Sequence, residues 1–124
     1  MNRAWATAIA ADAAVVLLFA VVGRSSHDEG LTLVGVARTA WPFLAGAAVG
    51  LGLAAFAHDD PRSNRAGIRV WLLTLAVGMV LRRLTDAGTA ASFVVVATVV
   101  LGVLFLGWRF VARVRRWTRP FRRS

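Results

Sequence analysis

The chain has 124 residues, 58% of them hydrophobic, and a mean hydropathy of +0.65; a soluble domain this short has too little interior to hide so many apolar side chains, which argues against a soluble enzyme and for lipid as the solvent. Its 15 basic residues are all Arg, set against 6 acids for a net charge of +9, and there is no cysteine. Disulfide frameworks, thiolate metal sites, iron–sulfur clusters and cysteine nucleophiles are therefore excluded.

The first apolar run, residues 4–22, carries only Thr7 and Asp12 as polar side chains. It is long enough for a transmembrane helix, which takes about 20 residues. Asp12 interrupts what would be the apolar core of a signal peptide, and Ala20-Val21-Val22-Gly23 is a poor cleavage site, so the run reads as span one. A polar outer loop follows at 23–30. Span two is expected over about 37–57, uncharged from Ala40 to Ala57. Pro42 falls in its first turns, where a missing N–H costs least. Gly46-x-x-x-Gly50-x-x-x-Ala54 is the small-residue spacing that lets helix backbones approach closely, within the bundle or between copies. His58-Asp59-Asp60-Pro61 through Asn64 makes the inner turn.

The third segment is the shortest, with an apolar stretch from Val70 to Leu81. As a helix that stretch is about 18 Å long against a hydrocarbon core of about 30 Å. The Arg distribution argues that it crosses nonetheless. With four crossings, 11 Arg share the side of the amino terminus and four, Arg24, Arg38, Arg82 and Arg83, lie opposite. By the positive-inside rule both termini are then cytoplasmic. Without the third crossing, the seven Arg of the carboxy-terminal segment would lie opposite Arg3. Span three is thus expected over about 67–86 and span four over about 87–108, leaving 109–124 as a basic, aromatic cytoplasmic tail. Trp5, Trp71 and Trp108 fall at the inner ends and Trp41 near an outer end, as an interfacial belt requires. The expected fold is all-α, a polytopic bundle of four transmembrane helices in the cell's inner (plasma) membrane.

Asp12 lies about 10 Å into the membrane from Trp5, where ionisation is expensive and an acid is a functional candidate by default. Thr74 reaches a comparable depth and Thr98 a slightly greater one. The three are read either as a proton or cation site or as a protonated carboxyl satisfied by hydroxyls, with a carboxyl lying in a cytoplasmic water cavity as a further alternative. At the outer edge, Arg38 and Arg82 are brought to one layer with Thr89, Ser92, His27 and Trp41. Arg82 shares an i, i+4 stripe with Gly78 and Thr74. Such a basic pocket suits an oxyanion or a lipid phosphate; the alternative is that these Arg anchor to headgroups or pair with Asp28, Glu29 and Asp86. The two histidines lack the spacing and companion carboxylates of a metal site, and no intramembrane His offers itself to a haem. No metal or other cofactor is expected, and without a nucleophile elbow, phosphate loop or paired catalytic carboxylates an enzyme is unsupported. The tail interleaves its Arg with Phe110, Val114, Trp117 and Phe121. It is expected to grip anionic inner-leaflet lipid, each cation worth about 1 kcal/mol, in preference to nucleic acid.

Taken as a set, Asp12, Gly23-Arg24-x-Ser26-His27-x-x-Gly30, Arg38-Thr39-Ala40-Trp41-Pro42-Phe43, Gly78-Met79-x-Leu81-Arg82, Ser92-Phe93-x-x-Val96-Ala97 and Gly107-Trp108-Arg109 resemble a domain-of-unknown-function family of small prokaryotic four-helix membrane proteins. The resemblance implies a fold and a membrane address and brings no activity. A looser likeness in layout is to the small multidrug resistance transporters, which also carry an acid in span one; they use Glu with Tyr and Trp, whereas this chain has no Tyr. The leading expectation is a protein that binds or transports a small anionic or polar solute, working as a homo-oligomer packed through the Gly46/Gly50 face. The alternatives are an accessory subunit docked on a larger membrane complex and, third, a lipid-modifying enzyme.

Overall fold

The computed structural model describes residues 2–26, 31–87 and 90–118. These residues form four helices and no strand: α1 (Arg3–Ser26), α2 (Leu33–Phe56), α3 (Asn64–Leu84) and α4 (Ala91–Thr118). Helices α1, α2 and α4 are long and apolar enough to cross a membrane. Helix α3 carries Arg65, Arg69, Arg82 and Arg83 toward its ends, which lowers its hydropathy, while its middle stays apolar.

Local chemistry sets the ends. Thr32 and Ser63 are N-caps whose hydroxyls accept from Gly35 N at 3.0 Å and Ala66 N at 3.2 Å, satisfying donors that a helix start leaves open. Helices α2 and α3 both close with paired reverse bonds. His58 N donates to Ala55 O and Asp59 N to Ala54 O; Asp86 N donates to Arg83 O and Ala87 N to Arg82 O. This closure needs a left-handed residue just past the helix, a place usually held by Gly. Here His58 (φ 59°) and Asp86 (φ 56°) occupy it.

Two boundaries differ from the sequence expectation. Because the Thr32 cap starts α2 at Leu33, Pro42 lies inside the helix and not in its first turns; it deprives the Arg38 carbonyl of a partner one turn back. Helix α4 does not stop at Trp108 but runs to Thr118, since no Gly or Pro falls between Trp108 and Thr118 to break it. Residues 109–118 of the expected tail are therefore a helical extension.

The helices form an antiparallel ring in chain order, with α1 closing on α4 and no close backbone approach across either diagonal among the described residues. The tightest seam is between α2 and α3. A Cβ on Gly46 would stand 2.7 Å from Thr74 Cα, and one on Gly50 2.6 Å from Val70 Cα. The Gly46/Gly50/Ala54 stripe is thus spent inside the chain, with Ala54 fully buried. The face that the sequence reading offered to a second copy is therefore occupied by α3 of the same chain. Gly78 lies flush under the Phe43 ring, and Phe43 meets Phe19 edge-on at 5.4 Å, with Phe93 beside both. Val16, Val70, Leu101 and Phe105 fill the rest of the axis. Gly102 receives the Trp71 indole, whose Nε1 donates to Thr98 O at 2.9 Å. Leu18, Val22, Val95, Val99 and Val103 remain exposed on α1 and α4, as side chains facing lipid would be.

Candidate functional site

The sequence places one acid in α1 and ends the uncharged stretch of α4 with Arg109; the antiparallel packing of these helices brings the two together. Arg109 Nη2 donates to Asp12 Oδ2 at 2.8 Å and Nη1 to Asp12 Oδ1 at 2.9 Å, a two-pronged pair in which neither side chain has any exposure. Trp108 Nε1 adds a third donor to Asp12 Oδ1 at 2.8 Å, and the Arg109 guanidinium stands 4.5 Å from the Trp108 ring centre. The remaining Arg109 bonds go to carbonyls: Nε to Pro61 O at 2.9 Å and Nη1 to Phe105 O at 3.2 Å.

The surroundings are built for this. Pro61 is buried in the α2–α3 turn, so its carbonyl covers the pair. Gly67 on α3 makes room: a Cβ there would come within 2.9 Å of Arg109 Cδ and 2.8 Å of Leu106 Cδ2. The turn is held by its own bonds, Ser63 Oγ to Asp60 O at 2.6 Å and Arg62 N to Asp60 Oδ1 at 2.9 Å. Arg69 Nε meets Asp59 Oδ2 at 2.7 Å. Asp12 sits nine residues past Arg3, about 13 Å along α1, so the pair lies beneath the end of the bundle, one layer in from the α2–α3 turn.

The sequence reading identified Asp12 but assigned it other partners. Thr98 Oγ1 bonds back to Val94 O at 2.7 Å, and buried Thr74 Oγ1 has no partner among the described residues; neither hydroxyl reaches Asp12. Arg109, read as the first residue of a lipid-gripping tail, is the partner. One signal pointed to it: Arg109 is the first charge after an uncharged stretch, at the same end of the bundle as Asp12. An intramembrane carboxylate calls for such a cation.

At the opposite end, the expected basic pocket is brought together only in part. Arg82 Nη2 donates to Ala87 O at 2.7 Å, and its guanidinium lies 4.3 Å from the Phe93 ring centre. Ser92 lines a small cavity of about 80 Å³ beside Phe19, Gly23 and Phe93. Arg38 is exposed and Trp41 is 43% exposed on α2. Arg24, which sequence reasoning left unassigned, reaches Thr39 Oγ1 at 3.3 Å. His27, Asp28, Glu29 and Thr89 lie outside the described residues. Among the described residues no three His, Asp or Glu side chains group as metal ligands.

A family model described as "Protein of unknown function (DUF3054)" matches residues 9–112, a range that includes Asp12, Trp108 and Arg109. No curated protein matches the chain, and no solved structure does.

Proposed function

The chain belongs to the family of unknown function DUF3054, a description that names no activity, and from the buried pair we propose a small multi-pass membrane protein that binds or moves a small anionic solute. Arg109 is the receptor in this reading and Asp12 the carboxylate that the solute displaces. The observation that carries it is the two-pronged Asp12–Arg109 pair with no exposure on either side. Such a pair is weak evidence for stability, because well-packed apolar side chains of similar volume often serve as well or better. Inside a membrane bundle, ionisable groups mark function by default.

The chemistry follows from charge balance. A buried guanidinium needs a counter-charge at every stage. An entering anion takes the Nη1 and Nη2 donors that Asp12 holds, and Asp12 then becomes neutral by taking up a proton. One anion and one proton enter together, so no net charge is added to the site. Trp108 Nε1 keeps its bond to Asp12 Oδ1 and holds the displaced carboxyl in place. Arg65, exposed on the rim, raises the local concentration of anions. At the other end Arg38 and Arg82 would do the same, with Ser92 and Trp41 orienting the solute. The aromatic fill of Phe19, Phe43 and Phe93 means that passage through one chain requires those rings to move. In this reading α3 also crosses, both termini are cytoplasmic and the membrane is the inner one, supported by the Arg bias.

The test is reconstitution in liposomes with a pH-sensitive dye inside and imposed gradients of chloride, acetate or phosphate. At least one gradient is expected to drive internal acidification, and Arg109→Gln and Asp12→Asn are expected to abolish it. No response to any of the three anions from folded protein would end this reading.

A second reading, an accessory subunit, draws on a lateral groove of about 500 Å³ between α1 and α2, lined by Trp5, Ile9, Ala48, Leu51, Gly52 and Ala55. A Cβ on Gly52 would meet nothing within 4 Å, so a partner helix has room to approach closely. Stoichiometric co-purification of one membrane protein in mild detergent supports it; a homo-oligomer without other partners opposes it.

A further inference from the structure

Arg62 and Arg113 meet where the α2–α3 turn rests on the helical extension of α4. Arg113 Nη1 donates to Arg62 O at 3.1 Å, and both side chains are half-buried. The acids of the same turn are committed elsewhere: Asp59 to Arg69 and Asp60 Oδ1 to the Arg62 backbone N–H. Asp12 is taken by Arg109. Among the described residues, therefore, neither Arg62 nor Arg113 has a carboxylate partner. Arg62 Nε is buried with no hydrogen-bond partner among the described residues. A buried charged donor without a partner costs more than a neutral one, and an anion held by the accessible part of the same guanidinium would supply the missing counter-charge.

The backbone adds to the same spot. Helix α3 starts at Asn64, and the Ser63 hydroxyl serves only the Ala66 N–H there. The turn stands at the positive end of a 21-residue helix, where negative charge is favoured. Depth suggests the ligand. Trp5 and the Arg residues of the α2–α3 turn gather at this end of the bundle, as residues at the headgroup level of a bilayer do.

We propose that Arg62, Arg113 and the amino-terminal turn of α3 form a binding site for a phosphate group, the phosphodiester of an anionic lipid headgroup. Guanidinium forks match phosphate oxygens in geometry as well as charge. The site is separate from the Asp12–Arg109 pair and does not rest on the function proposed for that pair.

The experiment is native mass spectrometry of the full chain released from nanodiscs of phosphatidylglycerol and phosphatidylcholine in equal parts. Phosphatidylglycerol is expected to be retained in preference to phosphatidylcholine. In Arg62→Gln/Arg113→Gln its retention is expected to fall about tenfold or more, in line with the loss of two surface cations. A control of equal charge at the other end, Arg38→Gln/Arg83→Gln, removes two exposed headgroup anchors and is expected to lower retention by no more than about twofold. Arg62→Lys/Arg113→Lys, which keeps the charge and loses the fork, is expected to retain an intermediate amount; its thermal midpoint shows whether the turn still folds. Competition by millimolar inorganic phosphate supports the phosphate site but reassigns its occupant to the free ion. Equal loss in the two Gln pairs, or equal retention of both lipids by the unmodified chain, overturns the proposal.

Discussion

Asp12 and Arg109, 97 positions apart in the chain, share two hydrogen bonds of 2.8 and 2.9 Å with no exposure on either side chain. The pair joins the first helix to the last and, through Pro61 O, fastens the α2–α3 turn over the end of the bundle. It is at once the main polar tie in the structure and the centre of the proposed function. The two roles are separable by experiment.

Removing one partner leaves a buried charge uncompensated. Asp12→Ala is expected to destabilise the chain by about 3–5 kcal/mol, whereas Asp12→Leu/Arg109→Met recovers most of that loss. Thermal unfolding in detergent reads both. If the double variant regains stability and still shows no anion-driven acidification, the pair works in function and does not merely hold the fold.

Glycines of one helix should respond oppositely. Gly46→Ala forces a Cβ against Thr74 Cα and Leu73 O, backbone atoms that cannot swing aside, and is expected to cost about 1–3 kcal/mol. Gly52→Ala meets open space and is expected to be neutral or to stabilise by up to about 1 kcal/mol through helix propensity. Comparison of their unfolding midpoints checks the α2–α3 seam directly; a Gly46→Ala protein as stable as Gly52→Ala would refute it.

Two helix ends carry a side chain where the backbone favours none. His58 and Asp86 sit at φ 59° and 56°, and a left-handed residue with a Cβ is disfavoured by roughly 1 kcal/mol or more. His58→Gly and Asp86→Gly are each expected to raise stability by a few tenths to about 1 kcal/mol. A fall in the unfolding midpoint for either would show that its side chain does more there than the backbone analysis assigns.

The absence of cysteine makes single-cysteine labelling free of background and gives a test of the proposed topology. Arg65→Cys in the α2–α3 turn region is expected to react with a membrane-impermeant thiol reagent only after the cells are opened. Thr85→Cys at the far end of α3 is expected to react in intact cells. Labelling of both from the same side would show that α3 does not cross.

Hydropathy is a local sum over consecutive residues, so the apolar runs by themselves determined the membrane-like helices α1, α2 and α4, and the short polar connections determined where the chain turns back. Small-residue spacing likewise marked Gly46, Gly50 and Ala54 as a packing face. Only the tertiary structure decided that this face is used by α3 of the same chain, since a stripe of small residues has the same pattern whether its partner is internal or a second copy. Asp12 was legible as an anomaly because a carboxylate in an apolar run stands out against its neighbours. Arg109 was marked only by being the first charge after an uncharged stretch, because it is one of seven Arg past Trp108 and composition makes them look alike. What separates Arg109 from the rest is the rotation of α4, which turns this one side chain inward beneath Pro61 while Arg115 and Arg116 stay exposed. That rotation depends on how four helices fill one interior together, through Gly67, Gly102 and the ring of Phe105, and no single segment encodes it.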